Sequence, residues 1–179
     1  FERHAEYILP GAQRASDLAV DADGKRLFVG TTHAALWSID LATGHAEALR
    51  GRSDSTRTRV GVDGDAIVST VRGALRVREA GRERASLLGT EESARSLAIG
   101  SSGIACIIDS DDVIRVWDLR YDTSATIRAH SGFVYTVDFL TEDHLVSTSW
   151  DTTMRIWRLD ARRTISTLNV KLATYATSV

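Results

Sequence analysis

At 179 residues, 43% of them hydrophobic, the sequence is long enough for one domain with its own core and too apolar for a disordered chain. The formal charge of -2 excludes an overall basic surface built to hold nucleic acid. The longest apolar runs, such as GIACII at 103–108, fall far short of the roughly 20 residues that span a bilayer.

The first predicted element is the strand HAEYIL, residues 4–9; the stretch FERHAEYILP around it has no apolar signal-peptide core and no initiator methionine. SDLAVD, RLFVGT, AALWSID and HAEALR follow, four short strands with turns at DADG and ATG. The next four are RTRVGVD, DAIVST, GALRVRE and RASLLG, then RSLAIG, IACIID, VIRVWDL and SATIRA, then VYTVDF, HLVSTS, TMRIWRL and RTISTL. LATYATSV, residues 172–179, reads as one more strand. With one proline, the thirteen glycines do most of the turning, and no stretch sustains a helical period, so the chain is predicted to be all-β. Cys106 sits in an apolar run and is read as a small buried hydrophobe; the lone cysteine fits a reducing, intracellular compartment, cytoplasmic or nuclear.

The four groups of strands are copies of one unit. The position of Trp37 recurs as Arg78, Trp117 and Trp157 at intervals of about 40 residues. Four short antiparallel strands cannot bury both faces alone, so such units pack side by side around an axis.

On these residues the chain resembles the WD40-repeat β-propellers over essentially its whole length, most strongly in the fourth repeat. There His130, Ser147, Asp151 and Trp157 stand at the family's His, Ser, Asp and Trp positions, which implies a buried polar network running from aspartate to histidine to serine to indole. The third repeat keeps Asp111 and Trp117 but has Thr90 and Ile107 in place of the His and Ser; the first keeps Trp37, and the second none. The resemblance implies a β-propeller of four complete blades, 14–50, 51–89, 90–130 and 131–169, preceded by the outer strand of another blade within 1–13 and followed by an inner strand within 170–179. Unclosed blades leave apolar faces and unpaired edges, so a segment of a larger propeller is expected, completed by the parent chain or a partner subunit.

Family resemblance also places Phe133, Tyr135 and Trp150 where loops rim the channel, with Arg14, Ser93, Arg95 and Ser110 at neighbouring rim positions. Aromatic rings anchor interfaces at low entropic cost, so these residues are the expected partner-binding set. The expected function is a scaffold that organises a multiprotein complex, with proteins or peptides as partners and no membrane. One alternative is a substrate receptor of a cullin-type ubiquitin ligase, because WDLR at 117–120 resembles the WDxR box and would make Arg120 the adaptor contact. Another is phosphate or nucleic-acid binding through Arg57, Arg59, Arg72, Arg76 and Arg78, against which stand the interleaved acids and the lack of a glycine-rich cradle. No nucleophile elbow, paired catalytic carboxylates or metal-ligand spacing is present, so no enzyme activity, cofactor or metal is expected.

Overall fold

The computed structural model describes residues 6–11, 14–51, 57–71, 74–86, 94–100, 103–108, 112–128, 130–159 and 165–171, with the side chains of 84–86 and 165–171 left aside. Among these there is no helix, and sixteen strands form four separate antiparallel sheets. The first sheet is β1 (Ala15–Val20), β2 (Arg26–Thr31), β3 (Leu36–Asp40) and β4 (Ala46–Arg50). The second is β5 (Val60–Asp63), β6 (Ala66–Val71), β7 (Ala74–Glu79) and β8 (Arg82–Ser86). The third is β9 (Ser96–Gly100), β10 (Ile104–Ile108), β11 (Ile114–Asp118) and β12 (Thr123–Ile127). The fourth is β13 (Val134–Thr141), β14 (His144–Ser149), β15 (Thr153–Leu159) and β16 (Ile165–Lys171). Each sheet is an up-and-down meander with its strands in chain order, because every connection is short enough for a hairpin.

The first strands of the four sheets stand beside one another, as the inner strands of successive blades do. Polar ties join them: the Ser16 hydroxyl donates to the Thr58 carbonyl at 2.8 Å, the Val60 amide donates to Asp17 Oδ2 at 3.0 Å, and the Gly103 amide donates to Asp63 Oδ2 at 3.0 Å. Among the described residues the blades do not close into a ring. Of the outer strand expected at 4–9, residues 6–9 are irregular and pair with no strand; the Tyr7 hydroxyl instead donates to the Leu41 carbonyl at 3.0 Å. The inner strand expected at 172–179 lies outside the described residues.

Alternation along the strands sends every second side chain into a seam between blades. Between blades 3 and 4 lie Cys106, Ile108, Ile114 and Val116 from one side and Val137, Leu145, Trp157 and Leu159 from the other. Between blades 2 and 3 lie Val68, Leu75 and Val77 against Ala105, Ile107 and Trp117. The seam between blades 1 and 2 is poorer, with a buried core of Phe28, Leu36 and Val60. There Arg50 reaches across, donating to the carbonyl of Ala34 (2.8 Å) and the hydroxyls of Ser69 (3.2 Å) and Thr58 (3.3 Å). The blade 1 face turned away from blade 2 carries Leu18 (58% exposed) and Val20 (51%) in the open, and Tyr7, Ile8 and Leu9 form an apolar hollow with it.

Close approach of neighbouring blades requires glycine at Gly30. A Cβ there would lie 2.4 Å from the Thr58 carbonyl oxygen, a backbone atom already held by the Ser16 hydroxyl. Gly30→Ala should therefore destabilise by about 1–3 kcal/mol in urea unfolding. Gly61→Ala meets chiefly Ile99 Cδ1, at 2.6 Å, the far end of a side chain that can turn away, and should cost less. Equal losses would show that the backbone at Thr58 yields as readily as a rotamer.

Candidate interaction site

The fourth blade carries the densest polar chemistry among the described residues. His130 precedes β13, Asp151 lies in the turn from β14 to β15, and Ser147 and Trp157 stand diagonally across those two strands, opposite Arg155 and Leu145. His130 Nδ1 is 2.9 Å from Asp151 Oδ2 and its Nε2 is 2.7 Å from the Ser147 hydroxyl, which accepts the Trp157 indole N–H at 2.9 Å. The Ser147 oxygen accepts from the indole and donates its own proton, so His130 Nε2 is the acceptor and Nδ1–H donates to the carboxylate. The same carboxylate accepts the amides of Ser131 (3.1 Å) and Thr153 (3.0 Å) and the Thr153 hydroxyl at 2.5 Å. Thr153 is thus a full member of the network, although the sequence pattern did not single it out.

Burial and protonation follow from this wiring. The His130 side chain is 0% exposed; burial disfavours its cation more than Asp151 favours it, and its pKa falls below the ordinary 6.5. Burial works to raise the Asp151 carboxyl, but hydrogen bonds from Thr153, His130 and Ser131 outweigh it and hold the group well below the usual carboxylate range. Both folded-state values lie below those of the unfolded chain, so the unfolded chain takes up protons first as pH falls. The stabilisation is complete in neutral solution, and its loss begins as pH falls below about 6.5 and continues below about 4. Nuclear magnetic resonance should place the half-protonation of the His130 ring below pH 6.5, and a ring half-protonated at 6.5 or above would contradict the wiring.

This network also clamps two loops. The Trp150 amide donates to the Phe133 carbonyl at 2.9 Å, the Ser149 hydroxyl donates to the Gly132 carbonyl at 3.1 Å, and Thr152 turns the chain at φ 64°. Three aromatic rings converge on the clamp: Phe133 is 5.3 Å from both Tyr135 and Trp150, and Tyr135 is 5.9 Å from Trp150. Phe133 and Tyr135 are half-buried and Trp150 is 58% exposed, so a supported indole faces solvent.

Blade 3 contributes the other side of the patch. The Arg95 guanidinium stacks 4.0 Å above the centre of the Phe133 ring and forms an ion pair with Asp112. Asp112 Oδ1 also accepts the Val134 amide at 2.9 Å, which ties the patch across the seam between blades 3 and 4. Arg14 is exposed in front of β1 on the blade 1 side, apart from this cluster. Ser93, Ser110 and Asp111 lie outside the described residues.

Trp117 occupies the seam between blades 2 and 3 at 4% exposure, and its indole N–H has no partner among the described residues. Ile107 stands where blade 4 has Ser147, so the acceptor is missing. Arg120 points its guanidinium at the buried Asp118 carboxylate at 3.3 Å, and the amides of Arg120 and Tyr121 donate to the same group. This is the local geometry of a turn capped by its aspartate. Burial, reinforced by Asp138, pushes the Cys106 thiol well above its ordinary pKa. No helix of the described residues is long and apolar enough to cross a membrane.

The model of the WD40 family (WD domain, G-beta repeat) matches residues 122–158, from the turn before β12 through β15. Those residues match a WD40 repeat. Among solved structures, that of U3-55K superposes with a TM-score of 0.78 at 16% identity, over 93% of this chain and 54% of that one. A crystal structure of a mitotic checkpoint complex contains a chain that superposes with a TM-score of 0.77 at 18% identity, with the same coverage. The fold is therefore that of a WD40-type β-propeller, and the chain spans about half the length of the structures it matches. No curated protein matches the sequence significantly.

Proposed function

We propose that this WD40 chain is a protein-interaction module that helps organise a multiprotein complex through the loop-bearing face of blades 3 and 4. The observation that carries the reading is Trp150, held more than half exposed on a base of Phe133 and Tyr135 by a loop that the His130–Asp151 network fixes. Such a ring loses little conformational entropy on binding, because its support is already in place. One of the superposed structures is of a complex, which supports the same reading. The ring itself is completed by further blades, from the same polypeptide or a partner subunit, which cover Leu18 and Val20 on the unpartnered side of blade 1.

Immobilised protein and mass spectrometry identify the retained polypeptides; Tyr135→Ala and Trp150→Ala should then each weaken their binding by about 2 kcal/mol while circular dichroism stays unchanged. Retention by the double variant equal to that of the original protein would assign the three rings to packing alone. A steep loss of binding with rising salt would point instead to arginine–phosphate contacts.

A further inference from the structure

The seam between blades 1 and 2 contains a cleft of about 460 Å³ at the end of the blades opposite the aromatic patch. Its size falls within the roughly 300–1,000 Å³ of small-ligand sites. The cleft opens where the second repeat departs from the others. Trp117 and Trp157 are each 4% exposed and fill the two later seams, whereas Arg78 stands at the corresponding position of blade 2. Arg78 donates to the Leu49 carbonyl at 3.4 Å and lies 3.9 Å from Glu83, so the edge of its guanidinium is engaged. The flat face of such a group remains suited to stacking on an aromatic ring.

The remaining walls narrow the ligand. Phe28, Leu49 and Ile67 give an apolar floor, and Ser38 lies opposite Arg78 on the blade 1 side. Glu47, Asp65 and Glu79 line the cleft against Arg26 and Arg78, so acceptors outnumber cations. An aromatic carboxylate would meet like charge, while a ring with its own N–H donor finds carboxylate acceptors at the rim. We propose that this cleft binds an indole ring, that of a tryptophan side chain carried by a partner polypeptide, in the volume left by the missing seam tryptophan. The cleft is far from the loop-bearing face, so this site and the aromatic patch can fail independently.

N-acetyl-tryptophanamide is a suitable probe, followed by saturation-transfer nuclear magnetic resonance on its indole protons. The original protein should take it up saturably and in preference to N-acetyl-leucinamide. Arg78→Trp places an indole in the cleft from within and should abolish uptake. Ser38→Phe plugs it from the other wall and should do the same, which keeps the test intact if the first variant folds poorly. Tyr135→Ala/Trp150→Ala should leave uptake unchanged. Absence of saturable uptake, equal uptake in folded plugged variants, or loss of uptake in the patch variant would each overturn the proposal.

Discussion

Asp151→Ala should lower the stability of the protein by about 3 kcal/mol in urea unfolding. The carboxylate is 7% exposed and meets His130 Nδ1, the Thr153 hydroxyl and two backbone amides. Its removal strands several donors at once in a site that excludes water, and each buried unsatisfied group costs about 1–3 kcal/mol. Relaxation of the turn recovers part of that sum. Asp151→Asn should cost less, because the amide oxygen still accepts one or two of these bonds. A loss below about 1 kcal/mol for the alanine variant would mean that water enters the turn and replaces the carboxylate.

Trp157→Ala should cost about 3–5 kcal/mol, as buried Trp-to-Ala replacements do. The more informative pair is Trp157→Phe and Trp117→Phe. Both indoles are 4% exposed in blade seams, so both variants lose similar packing. Trp157→Phe also removes the N–H that donates to Ser147, whereas Trp117→Phe removes an N–H without a partner among the described residues. The second change relieves an unmet desolvation cost, and its net effect should be smaller by about 1 kcal/mol or more. Equal losses would show that Trp117 has an acceptor after all, such as a bound water.

Much of this architecture was legible because two periods coincide in the sequence, alternation within strands and a repeat of about 40 residues. His130, Ser147, Asp151 and Trp157 were legible through the resemblance of the fourth repeat to WD40 repeats, since within this chain the third repeat shares only the aspartate and the tryptophan. Thr153 escaped it, because a threonine beginning a strand has an adequate explanation in strand propensity alone. The Arg95–Asp112 pair also escaped: its members stand in different loops of one blade, and their joint support of Phe133 in the next exists only once two blades pack. Arg78 was visible as a departure from the pattern, but a sequence shows the substituted residue and not the space left around it. For Arg120 it was the resemblance of WDLR to the WDxR box that suggested an adaptor contact; its guanidinium lies 3.3 Å from the aspartate of its own turn.

The thin core between blades 1 and 2 has a kinetic corollary. An array of units that touch only their neighbours comes apart in sequence, beginning with the unit whose junction is weakest. Phe28, Leu36 and Val60, with the bridging guanidinium of Arg50 and the polar ties at Thr58 and Val60, join blade 1 to blade 2, while β10 lies between two far larger apolar clusters. Amide protons of β2 and β3 should therefore exchange with solvent through detachment of one blade, and those of β10 only through openings that approach global unfolding. Proteolytic cleavage should follow the same hierarchy and release blade 1 before the junctions among blades 2 to 4 open.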